Sequence, residues 1–215
     1  MKFPFFASCI MFCLWLAYQL KKSHKQADSE TKSFWDREAE ANNTRRKSLD
    51  NLDYITIPLE TFPMGIGNLD TFKDNHRITE YIDVLHSLST SKIVNFTGFT
   101  NTELKLEYGA PNINLLMEYD QNYTLLARTL QSFAEELFKA DFIAECKTVL
   151  EFAISTRTDV SQSYFLLADL YERGGQPEKI AELIQTAESL NSVMKNSIAR
   201  TLQESGPYSG LLRSL

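Results

Sequence analysis

Residues Phe3 to Leu20 (FPFFASCIMFCLWLAYQL) form an apolar run with no charged residue, and Lys21, Lys22 and Lys25 follow it at once. About 20 helical residues cross the roughly 30 Å core of a bilayer, so the run is near the lower end of a spanning length. Trp15 and Tyr18 lie toward its lysine end, where amphipathic aromatics favour an interface. A cleaved secretory signal would need a basic start, a shorter apolar core and a small-x-small cleavage site. The chain has only Lys2 before the run and no such pair before Lys21. The pattern therefore predicts an uncleaved anchor in residues 1–22. One Lys precedes the span, whereas Lys21, Lys22, Lys25 and Lys32 follow it, which predicts an N-out, C-in orientation with the C-terminal body in the cytoplasm.

Residues 23–52 are polar, interrupted by Phe34-Trp35, and read as a juxtamembrane linker or spacer helix in which Ser33 and Asp36 could form a cap. Arg45, Arg46 and Lys47 cluster near its end, as a solvated face or as a contact for anionic headgroups. Residues 53–120 read as a helical region with no recognisable fold. Tyr54–Ile57 suits a short extended piece, and Ile78, Tyr81, Ile82, Leu85 and Leu88 recur at helical spacing behind an Asn75 N-cap. Lys92–Phe99 is ambiguous between strand and helical turn. Thr100 and Glu103 form a capping-box pattern, Gly109 and Pro111 end the helix that follows, and Asn112–Asp120 reads as another short helix.

The pattern in residues 121–205 repeats. At a shift of 34, Leu130 meets Tyr164, Phe133 meets Leu167, Ala134 meets Ala168 and Leu137 meets Tyr171; then Cys146 meets Ile180, Leu150 meets Ile184 and Ala153 meets Ala187. Each unit is a pair of amphipathic helices, and the paired alanines allow their axes to approach closely. Pro177 opens the second helix of the second unit, residues 195–205 read as a closing helix, and residues 206–215 as a tail.

This segment resembles the tetratricopeptide repeat, with Ala127 and Ser161 as first positions. Tyr164, Leu167, Ala168 and Tyr171 carry the family's large–Leu–small–Tyr pattern, and Ala187 its late alanine; in the first unit Leu130 and Leu137 replace aromatics, and Asp141 stands where Gly is common. The resemblance implies a mainly α protein whose C-terminal helix-pair solenoid binds a protein partner in a groove lined by Arg128, Gln131, Glu135, Gln162, Phe165, Asp169, Asn196, Arg200 and Gln203. Ala199 would lie on the same face of the last helix. Of the positions at which relatives clamp a C-terminal carboxylate (Gln131, Glu135, Leu166, Asn196 and Arg200), only Arg200 fits. Phe165 is the expected apolar anchor, or else a half-buried packing residue. So few units leave end faces to cover, by residues 75–126 or by self-association.

Candidate chemistry adds little. His76 and Glu80 stand one turn apart with Asp83 and His86 on one predicted helix, the usual wet face of an amphipathic helix, and His24 lies among lysines. Cys9 and Cys13 fall in the apolar run and Cys146 at an apolar repeat position, as small hydrophobes. Gly65-x-Gly67 lacks the rest of a nucleotide motif, and no Ser sits in a nucleophile elbow. No catalytic residue, metal site or cofactor is expected. The net charge of −6 argues against nucleic acid, and it is unevenly placed: residues 1–47 hold 9 Lys+Arg and 5 Asp+Glu, whereas residues 48–215 hold 13 and 23. The expected function is a membrane-anchored adaptor or scaffold. The alternatives are an exported, membrane-tethered protein of cell-envelope assembly, or an enzyme with its site in residues 53–120.

Overall fold

The computed structural model describes residues 3–62, 72 and 75–204, with the side chains of α1 from Ile10 to Ser23 and from Glu30 onward. The described residues are mainly helical: α1 (Phe3–Asn43), α2 (His76–Ser89), α3 (Asn101–Tyr108), a 3₁₀ turn (Ala110–Asn112), α4 (Ile113–Lys139), α5 (Ile143–Ser155), α6 (Ser161–Arg173), α7 (Pro177–Glu188) and α8 (Lys195–Glu204). The sole β feature among them is an isolated antiparallel bridge, Tyr54 to Val94. That bridge falls at the start of the extended piece expected at Tyr54–Ile57; in Lys92–Phe99 it involves Val94 alone, and Thr97–Gly98 form a turn.

The chain divides into two compact units: residues 1–48 with 100–113, and residues 49–99 with 114–215. In the first unit α1 runs unbroken through the expected boundary between residues 22 and 23, so Ser33 and Asp36 are interior to a helix and cap nothing. Large apolar side chains from Ile10 to Leu20 are exposed around the helix. Among the described residues no helix is long and apolar enough to cross a membrane; the expected span begins at Phe3, and its side chains through Cys9 lie outside the described residues.

The C-terminal end of α1 packs on α3. Ala41 is fully buried, Glu38 takes an ion pair from Lys105 and a hydrogen bond from Thr102 Oγ1 at 2.6 Å, and Lys105 Nζ also reaches Asn42 Oδ1 at 2.8 Å. The basic cluster after α1 is drawn into this unit. Arg46 Nε donates to Asn112 Oδ1 at 2.8 Å, and Lys47 Nζ to the Leu106 carbonyl at 3.0 Å. α3 starts at the capping box of Thr100 and Glu103 and ends at Gly109.

In the second unit Asn75 Oδ1 caps α2 through the Ile78 amide, and Ile78, Ile82, Leu85 and Leu88 are buried as their spacing requires. The expected short helix over 112–120 and the first repeat helix are one element, α4. Nothing between Asp120 and Ala127 breaks a helix, and Tyr119, Tyr123 and Leu126 keep its buried stripe continuous. α5 packs on α6, α6 on α7, and α8 on both α6 and α7. α6, the middle element, is buried on most sides: Tyr164, Leu166, Leu167, Ala168, Leu170 and Tyr171 all lie inside. The termini of the helices recur at the sequence period, with α4 and α6 ending at Lys139 and Arg173 and α5 and α7 starting at Ile143 and Pro177.

Candidate functional site

The structure distributes the sequence-derived groove residues unevenly. Arg128, Gln162 and Asn196 are exposed, and Glu135 and Phe165 are half-buried, Phe165 packing against the core. Gln131 and Asp169 are not surface residues. Gln131 is 7% exposed; its Nε2 donates to Glu135 Oε1 at 2.7 Å, and its Oε1 accepts from Ser163 Oγ at 2.6 Å. Asp169 is 2% exposed and meets Arg173 Nε at 2.8 Å in an ion pair that lacks hydrogen-bond alignment. Burial pushes the Asp169 carboxyl above its usual range, and Arg173 pulls in the opposite direction. Asp169 is withdrawn by the position of α6, which α5, α7 and α8 enclose, whereas Gln131, on α4, is withdrawn by its bond to Ser163 of α6. Arg200 and Gln203 are exposed but engaged, with Glu204 at 3.3 Å and Glu188 at 3.1 Å.

A concavity elsewhere in the same unit gathers residues that no linear motif connects. It is a cleft of about 340 Å³ between the extended segment at Asp53–Thr56, the loop at Asn95–Phe99, the end of α5 from Phe152 to Arg157, and the α7–α8 connection at Ser189–Ser192. Asn95 Nδ2 bridges two walls, donating to the carbonyls of Thr156 at 3.0 Å and Arg157 at 3.2 Å. Tyr123 Oη also donates to the Thr156 carbonyl, at 3.3 Å. Opposite, Gly98 lies at φ 87°, and a Cβ there would stand 2.2 Å from the Asn191 carbonyl oxygen. Only glycine lets these two loops meet.

A neighbouring hollow shares Ser155, Arg157 and Ser189 and includes Glu151, Tyr171, Lys179 and Glu182. Its charges are partly spent, since Lys179 pairs with Glu151 at 3.5 Å and Tyr171 Oη donates to Glu151 at 3.0 Å.

Protein-family models, curated proteins and solved structures were compared with the chain, and none matches it. Its chemistry therefore rests on its own residues. His76 Nδ1 and Glu80 Oε1 stand 3.2 Å apart, both well exposed, and no group of three His, Cys, Asp or Glu able to hold a metal occurs among the described residues. The Cys146 thiol is buried in the core, which pushes it up to about 12 and leaves it protonated and unreactive at neutral pH. Cys9 and His24 have side chains outside the described residues, as do Gly65, Gly67 and the tail 206–215. Sequence reasoning missed the cleft because Asp53, Asn95, Arg157 and Asn191 are scattered over the chain. The one local signal is Gly98, within the Lys92–Phe99 segment whose pattern is ambiguous between strand and helical turn.

Proposed function

We propose that this chain is a membrane-anchored adaptor of tetratricopeptide-like build, which holds its helical body on the cytoplasmic side and binds a protein partner there. The observation that carries the reading is the recurrence of the helix–turn–helix unit bond for bond. Phe142 N–H to Leu137 and Gln176 N–H to Tyr171 are both 2.9 Å, and each lies 34 residues from its counterpart. Such stacked pairs serve binding through their exposed helix faces rather than through a fixed catalytic constellation. The anchor is supported by the uncovered apolar side chains of Ile10, Phe12, Leu14, Trp15 and Leu20, which no part of the described chain shields. The surface left for a partner centres on Arg128, Gln162, Phe165 and Asn196.

Two measurements test this. A Val193→Cys chain, with Val193 97% exposed, is treated in intact cells with an impermeant maleimide. No labelling beyond the parent before lysis is expected, and strong labelling would move the body to the opposite side, as in the exported reading. A photoreactive residue at Gln162 should then crosslink one specific protein, and the same residue at Ala144 on α5 should not. Equal or absent crosslinking at both sites removes the adaptor reading.

A further inference from the structure

The cleft beside Arg157 is lined mainly by polar residues, with Ile55, Phe99, Phe152 and Leu190 as its apolar part. Its volume of about 340 Å³ lies in the range of small-molecule pockets. On one wall Arg157 lies at φ 59°, a left-handed conformation uncommon for a residue with a Cβ. The Arg157 amide donates to Ile154 at 2.9 Å, and the Asn95 side chain clamps the carbonyls of Thr156 and Arg157.

Arg157 and Asp53 are the charged residues of the lining, and neither forms an ion pair among the described residues. Arg37, Arg77, Arg173 and Arg200 have acidic partners, whereas Arg45, Arg46 and Arg128, like the exposed Arg157, form no ion pair among the described residues; of these Arg157 alone lines the cleft. A guanidinium on a cavity wall without a counter-ion suits a planar carboxylate. The hydroxyls point to the other half of the ligand. Ser155 Oγ donates to the Phe152 carbonyl and Ser189 Oγ to the Thr186 carbonyl, both at 2.7 Å, so each hydrogen is used and lone pairs remain. The exposed Asp53 carboxylate lines the same cleft and adds a charged acceptor for a cationic donor. Phe99, Phe152, Ile55 and Leu190 supply apolar wall. The acidic body, net −10 over residues 48–215, disfavours a simple anion, whereas a net-neutral ligand escapes that repulsion.

We propose that this cleft binds a small zwitterion of the amino-acid class, a free amino acid or a dipeptide, with its carboxylate on Arg157, its ammonium toward Asp53 and the serine oxygens, and an apolar side chain against Phe99 and Phe152. The site is independent of the partner-binding surface.

The test is calorimetric titration of the full chain in detergent with leucine, phenylalanine and alanyl-phenylalanine, using N-acetylleucine and leucinamide as probes that lack one charge each. At least one zwitterion binds with a Kd below about 1 mM, and the one-charge probes bind at least about tenfold more weakly. Arg157→Gly, which relieves the left-handed backbone and so keeps the fold, weakens binding at least about tenfold, as does Asp53→Asn. Thermal melts confirm that both variants are folded. No binding by any zwitterion, equal binding by N-acetylleucine or leucinamide, or full affinity in both folded variants each overturns the proposal.

Discussion

Asp141 and Gly175 occupy the same turn in successive units, at φ 64° and 66°. Asp141 N–H bonds the Phe138 carbonyl and Gly175 N–H the Glu172 carbonyl, both at 3.1 Å, and the next amide in each case closes the helix end onto the last-turn carbonyl. The left-handed conformation is nearly free for Gly175 and strained for Asp141. Asp141→Gly should therefore stabilise the chain by about 0.5–1 kcal/mol, and Gly175→Asp should destabilise it by a similar amount. Urea denaturation of the full chain in detergent reads both; a destabilising Asp141→Gly would mean that the aspartate side chain holds the turn.

The parts of the fold legible in the sequence are those decided by neighbours along the chain. Asn75 and the Thr100–Glu103 box cap their helices through bonds spanning three residues, and Pro177 opens α7 where no amide is needed. The helix-pair period was readable for the same reason. The burial of Gln131 and Asp169 was not, because the period fixes which face of a helix a residue takes but not which other elements cover that face. Nor was the docking of α1 on α3, since Glu38 and Lys105 are equally ordinary solvent residues until a fold brings them together. The cleft was invisible in the sequence because its walls come from segments as distant as Asp53 and Ser192.

Acidification should loosen the first unit. Hydrogen bonds from Lys105 and Thr102 hold the Glu38 carboxyl below its ordinary 4.5. A depressed folded-state value means that the stabilisation is fully present above pH 4.5 and is lost as pH falls through the folded value. Glu103, held down by the Thr100 amide and hydroxyl, acts in the same direction. Hydrogen exchange should show α3 losing protection below about pH 4.5, and Glu38→Gln should shrink that pH dependence. Unchanged protection down to pH 3 would show that packing at Ala41 alone holds the helices together.

Gly109 should tolerate no side chain. At φ 94°, a Cβ there would lie 2.2 Å from the Arg45 carbonyl oxygen and 2.8 Å from its carbon, so the connection after α1 would have to move. The Lys47 N–H to Tyr108 and Ala110 N–H to Thr44 bonds, both 3.1 Å, would go with it. Gly109→Ala should cost about 2 kcal/mol or more and open the segment 44–47 to limited proteolysis. Parent-like cleavage kinetics would show that this junction is looser than its contacts require.

Tyr164 is completely buried, yet its hydroxyl donates to the Thr158 carbonyl at 3.0 Å. The bond ties the α5–α6 connection to the middle helix of the stack, and burial raises the phenol well above its ordinary pKa of 10. Tyr164→Phe keeps the ring and strands the carbonyl, so a loss of about 1–2 kcal/mol is expected. Tyr164→Leu also removes ring volume and should lose a further 1 kcal/mol or so through the cavity left behind. Urea midpoints of the two variants separate bond from packing. A Tyr164→Phe chain as stable as the parent would mean that water or a shifted Thr158 satisfies the carbonyl, and that shape alone selects tyrosine at this repeat position.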